Sequence, residues 1–131
     1  MTPTATQLSY LRTRSLFLRG MGVVYLAAFL SLHAQVLGLY GHDGLLPAVA
    51  YLDRARETLG TEASWQLPTL FWLDASDGSL RTACAAGAAS ALLLVAGITP
   101  FATALTCWVL YLSLCGIGQL FLGYQWDALL L

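Results

Sequence analysis

The sequence predicts an all-α integral membrane protein. It would have three transmembrane helices, an amphipathic and interfacial helical loop between the first and second, and a truncated fourth helix. Three observations predict this. Apolar residues make up 58% of the 131 positions and charged residues 10%, where a soluble domain carries about 25% charged. Mean hydropathy is +0.70, and a folded chain of this size hides only about two-thirds of its surface from water. The apolar residues also gather in runs of about twenty, the length that crosses a bilayer.

Residues 1–19 read as a polar cytoplasmic segment carrying Arg12, Arg14 and Arg19. The first crossing is Gly20 to Leu39, uncharged unless His33 protonates, with Arg19 at its entrance able to snorkel to the headgroups. A signal peptide is the competing reading. Cleavage after Ala34 would put Leu32 where a small residue is needed, and the apolar run continues past that point.

Residues 40–81 hold six of the seven acidic residues, three of the six arginines and two of the four prolines. Gly41 to Gly44 read as a turn, followed by Pro47 at a helix start. From Pro47 to Leu59, Val49, Leu52, Ala55 and Leu59 share one helical face, with Asp53, Arg54, Arg56 and Glu57 on the other. Such a helix can lie in the membrane surface. Ser64 to Leu73 carries Trp65, Phe71 and Trp72 and is too short to span, so it reads as interfacial or re-entrant. Asp74 to Gly78 make a polar turn.

Thr82 to Thr99 is the second crossing. Ala83, Gly87 and Ala91 recur every four residues, with Cys84, Ala88 and Ala96 on a parallel track. Small residues in that register let helix backbones approach closely in lipid, so this helix belongs inside a bundle. Pro100 closes it and opens the third crossing, Phe101 to Leu122. Residues 123–131 begin a further helix. The basic residues before the first crossing place the N-terminus in the cytoplasm and residues 40–81 on the opposite side.

Charge and composition exclude several chemistries. A net charge of −1 offers no footprint for nucleic acid. All basic residues are Arg; the absence of Lys removes lysine-base and Schiff-base chemistry, and the absence of Asn removes N-glycosylation. Cys84, Cys107 and Cys115 lie in apolar runs without a CxxC and read as packing residues rather than a disulfide framework. His33, which shares four-residue spacing with Tyr25 and Phe29, reads as a hydrogen-bonding residue inside the bundle rather than a relay or ligand. No partner stands at ligand spacing to it, so no metal and no cofactor are expected.

Four stretches resemble the lipase maturation factor family of membrane proteins: Leu16 to Leu32, Gly38 to Ala48, Leu67 to Asp77 and Leu110 to Leu131. They stand in the family's order and cover nearly the whole chain. The resemblance implies an integral membrane protein that assists the folding or maturation of secreted proteins, lipases among them. Animal members reside in the endoplasmic reticulum; a bacterial member would sit in the plasma membrane. It also implies further spans and a large non-membrane domain, so the chain reads as the N-terminal membrane part, with the remaining helices as partners. Gly116 departs from the family, where many members carry Asn. The alternative is a membrane enzyme related to vitamin-K-dependent carboxylase-type domains.

The candidate site residues follow the family-like motifs. Gly44, Leu45 and Pro47 form the most distinctive loop, a turn needing free φ followed by a helix start. Trp72 and Asp77 fall on the same side of the membrane, as do Gln119, Trp126 and Asp127. Asp127 reads either as a helix cap or as a carboxylate at the membrane–water boundary. No catalytic residue is assigned. The partners expected are the lipid bilayer and secreted lipase clients, which an exposed surface rich in Trp and Leu would shield.

Overall fold

A computed structural model describes residues 5–118, with side chains from Ser9 onward. Every described element is helical: α1 (Ala5–Tyr40), α2 (Ala48–Leu59), a 3₁₀ turn (Gly60–Glu62), α3 (Ala63–Gln66), a second 3₁₀ turn (Leu70–Trp72), α4 (Asp77–Ala96) and α5 (Pro100–Ile117). Three of these, α1, α4 and α5, are long and apolar enough to cross a membrane. The further helix expected over 123–131 lies outside the described residues, as does the end of the third crossing.

The first helix runs well past the expected crossing. It begins at Ala5 and continues through Gly20 without a break. Between Ala5 and Tyr40 there is no proline, and each of the glycines, Gly20, Gly22 and Gly38, costs a helix only about 1 kcal/mol. Arg12, Arg14 and Arg19 are exposed and do not interrupt it. At roughly 1.5 Å per residue the helix is longer than a bilayer's hydrocarbon core, so its N-terminal turns project beyond the bundle.

α1 and α4 form the main antiparallel pair. Tyr25, Phe29, Leu32, Val36 and Tyr40 are buried on α1; Leu80, Cys84, Ala88, Ala91 and Leu94 are buried on α4. The small residues of α4 act as expected. A methyl built on Gly87 would overlap the ring of Phe29, and one on Gly22 would lie 2.9 Å from Val95 Cγ2 and 3.2 Å from the Ala91 carbonyl. Both helices therefore need glycine for their closest approach. Their outer faces stay exposed, with Val23, Leu30, Leu92 and Leu93 turned outward.

α5 closes the bundle against both. Tyr111 meets Tyr25 and Phe29 edge-on, with ring centroids 6.0 and 5.8 Å away, an arrangement aromatic quadrupoles favour. Cys107 reaches the Gly87 carbonyl at 3.8 Å, and the Tyr40 hydroxyl donates to the Gly118 carbonyl at 3.1 Å. Cys84, Cys107 and Cys115 form no disulfide, and the first two are fully buried.

The connection from α4 to α5 is three residues long because both ends are capped locally. Gly97 adopts φ 79°, and Ile98 N–H reaches the Leu93 carbonyl at 3.0 Å while Gly97 N–H reaches that of Leu94 at 3.0 Å. This is a Schellman end. Pro100 then starts α5, where its missing N–H costs nothing.

Candidate functional site

Residues 41–76 form one end of the bundle, and the sequence-predicted loop motif begins it. The chain leaves α1 and folds straight back over the helix end. Gly41 N–H donates to the Leu37 carbonyl at 3.1 Å, Leu45 N–H to Gly38 at 3.0 Å and Leu46 N–H to Leu39 at 2.8 Å. Carbonyls that a helix end leaves open are thereby satisfied. Gly44 does not take a positive φ, so conformational freedom is not why glycine stands there. The reason is space: a Cβ at Gly44 would lie 2.9 Å from the Leu37 and Leu39 carbonyl oxygens. Pro47 is the residue immediately before α2, and its carbonyl accepts from Tyr51 N–H at 3.1 Å.

Asp77 ties this loop to α4. Its carboxylate accepts from His42 N–H at 2.8 Å while Asp77 itself occupies the first turn of α4. There a negative charge is favoured by the helix dipole. Ser76 caps the same helix by accepting from Ser79 N–H at 3.3 Å, and Asp74 holds Ser76 through both its N–H (3.0 Å) and its hydroxyl (2.8 Å). His42 and Asp43 form an exposed pair at 3.3 Å.

Trp72 is placed by two contacts. Its indole N–H donates to the Leu67 carbonyl at 2.8 Å, closing the loop Leu67–Trp72 upon itself. Over its ring lies the Arg56 guanidinium of α2, 5.1 Å from the centroid, a cation–π arrangement. Trp72, Arg56, Asp53 and Asp74 line one open cavity of about 390 Å³ between α2 and the aromatic segment.

The structure thus brings Trp72 and Asp74 to one cavity and joins Asp77 to the Gly41–Gly44 turn. Leu45 is 74% exposed. Gln119, Trp126 and Asp127 lie outside the described residues. His33 is exposed, not inside the bundle, and makes no hydrogen bond among the described residues.

Two residues that sequence reasoning did not single out anchor the aromatic segment to the crossing helices. The Thr69 hydroxyl donates to the Ser113 carbonyl at 2.8 Å, and Ser113 Oγ accepts from Leu70 N–H at 3.1 Å while donating to Val109 at 2.8 Å. Ser113 is 3% exposed. The only sequence signal was a lone serine in an apolar run, whose partner a single sequence does not reveal. Gly116 faces the same segment: a Cβ there would lie 3.3 Å from Thr69 Cβ. Phe71 is buried beside these ties, whereas Leu70 and Leu73 remain exposed.

Among the described residues no group of His, Cys, Asp and Glu could hold a metal ion. The polar atoms of this end bind one another and the backbone. Beside exposed charged residues such as Asp43, Arg54, Glu57 and Glu62, this end presents large apolar side chains outward: Leu45, Val49, Trp65, Leu70 and Leu73, with Trp65 and Leu73 each 88% exposed.

Comparison with known proteins agrees with this architecture. The family model described as the lipase maturation factor transmembrane domain matches residues 12–131. Lipase maturation factor 2 of Gallus gallus is 41% identical over 127 residues, covering 92% of this chain and 18% of its own length. The Homo sapiens protein of the same name is 40% identical over 125 residues, with 90% and 18% covered. Lipase maturation factor 1 of Bos taurus is 35% identical over 127 residues, with 91% and 23% covered. No solved structure matches the chain. The chain spans about a fifth of the length of these relatives. All three crossing helices and the whole folded-back loop fall inside the matched region, apart from the first turns of α1, and the chain belongs to the lipase maturation factor family.

Proposed function

We propose that this chain is the part of a membrane maturation factor that holds a client-facing platform at the bilayer surface, the clients being secreted proteins and lipases in particular. The observation that carries this is the number of large apolar side chains left exposed at the loop end, Leu45, Val49, Trp65, Leu70 and Leu73. Their segments are pinned from below by Thr69–Ser113, Trp72–Leu67 and Asp77–His42. An exposed apolar patch that is rigidly backed marks a surface for binding another protein or lipid. The platform acts by shielding a client's apolar surface, not by catalysis. The lipase specificity comes from the names of the relatives.

In this reading the N-terminus is cytoplasmic and the platform lies across the membrane, in the compartment a secreted client enters. The host membrane is the plasma membrane in a bacterium and the endoplasmic reticulum in a eukaryote. The remaining helices of the full-length protein cover the exposed small residues Ala85, Ala86 and Ala89 of α4.

Photo-crosslinking tests the platform. A crosslinker at Leu45, Trp65 or Leu73 of the full-length protein should capture a nascent secreted lipase, and one at Leu30 should capture lipid only. Replacing Trp65 and Leu73 by Ser should lower secreted lipase activity at unchanged lipase mRNA. Unchanged activity, or equal capture from Leu30, would overturn the reading.

A further inference from the structure

The opposite end of the bundle carries a second feature that the platform does not use. Where the α4–α5 turn meets α1, a cavity of about 200 Å³ opens, lined by Leu11, Leu18, Leu94 and Pro100 with Arg14 and Arg19. On a helix advancing roughly 100° per residue, Arg14 and Arg19 lie roughly 140° apart. Leu11 and Leu18 lie between them, so the two guanidiniums flank an apolar floor. Arg19 is set against the α4 end: a Cβ at Gly97 would lie 3.7 Å from its guanidinium nitrogen. The carbonyl end of α4 favours a cation there.

Among the described residues the two arginines have no counter-charge. Neither makes an ion pair or side-chain hydrogen bond among the described residues, where the recorded ion pair is His42–Asp43. No carboxylate occurs in α1, in the α4–α5 turn or in α5. In α4 the lone acid is Asp77, at the far end of that helix. The level of the site along the membrane normal follows from the antiparallel pairing. Gly22 lies against Val95, Phe29 against Gly87 and His42 against Asp77. Arg14 and Arg19 therefore stand where the crossing part of the bundle ends. At that depth a side chain meets lipid headgroups.

We propose that this cavity binds an anionic phospholipid, its phosphate between Arg14 and Arg19 and its acyl chains along the apolar floor. Arginine suits the role because its planar donors grip phosphate oxygens in pairs. A basic pocket between transmembrane helices at the boundary is the kind of site that takes such headgroups. The apolar floor distinguishes it from a site for free phosphate.

The test uses the purified chain reconstituted in phosphatidylcholine vesicles containing a minor fraction of spin-labelled phosphatidylglycerol. Phosphatidylglycerol should be enriched over spin-labelled phosphatidylcholine at the protein. Each of Arg14→Gln and Arg19→Gln should lower that enrichment about fivefold. Arg14→Lys and Arg19→Lys should retain most of it, and Arg54→Gln, in α2, should leave it unchanged. Helical circular dichroism confirms that each variant is folded. Equal association of the two lipids, or glutamine variants that behave like the native chain, would overturn the proposal. So would displacement of phosphatidylglycerol by inorganic phosphate, which would make the site one for a free anion. A purely topogenic role for the arginines would alter orientation and leave lipid selectivity untouched.

Discussion

Gly87→Ala is the substitution that probes the α1–α4 contact most sharply. The added methyl would overlap the edge of the Phe29 ring. That ring is fully buried and held between Tyr25, at 6.2 Å, and Tyr111, at 5.8 Å. Any shift of the ring must displace buried neighbours in a close-packed interior. Overpacking of this kind costs about 1–3 kcal/mol. Removing a mid-helix glycine returns up to about 1 kcal/mol. The net expectation is a loss of about 1–2 kcal/mol. Phe29→Ala opens the space, so in that background Gly87→Ala should become neutral or favourable, giving a coupling of about 2 kcal/mol, within the range seen for residues in contact. The assay is reversible unfolding of the chain in mixed micelles, followed by circular dichroism across the four members of the cycle. A Gly87→Ala cost that is the same with and without Phe29, or a stabilising effect in the native background, would refute the close helix approach.

Three further outcomes follow from the loop end. Gly44→Ala should cost about 1–3 kcal/mol, because the neighbours its Cβ meets are the Leu37 and Leu39 backbone and cannot rotate away; the same unfolding assay reads it. Asp77→Ala should speed hydrogen exchange at the His42 amide about fivefold, as expected for losing one hydrogen bond of modest worth, while Asp77→Asn retains an acceptor and most of the protection. Ser113→Ala leaves Leu70 N–H without its acceptor, which costs about 1 kcal/mol for a part-buried hydrogen bond. It should also loosen the aromatic segment, read as a red shift of Trp72 emission.

Much of this architecture is legible in the residues, and the losses have physical reasons. The register of Gly87 and Ala91 announces a close helix pair, but which residue fills the gap depends on the facing helix, and nothing in α4 names Phe29. Tyr25, Phe29 and His33 stand at equal four-residue steps, yet only the first two are buried. The buried stripe advances by threes and fours through Leu32, Val36 and Tyr40, since a period of 3.6 leaves a strict fourfold series rotating off the face. The glycine–histidine–aspartate–glycine turn is readable as a turn. Its role of closing over the last carbonyls of α1 needs the chain to fold back, and that is a tertiary fact. The sequence predicts a second crossing that runs to Thr99 with Pro100 as its stop, whereas the left-handed turn at Gly97 ends α4 at Ala96. Thr69 and Ser113 lie 44 positions apart, and no local pattern links them.

The account rests on hydrocarbon surrounding the outer faces of α1, α4 and α5. Spin labels at Leu30 on α1 and Leu105 on α5, both exposed apolar positions at the depth of the Phe29–Gly87 contact, measure this directly in reconstituted vesicles. Molecular oxygen, which concentrates in lipid, should relax both labels strongly, and a water-soluble nickel chelate should scarcely reach them. Ready collision of the chelate with either label would mean that water bathes these faces and would contradict the reading from its first premise.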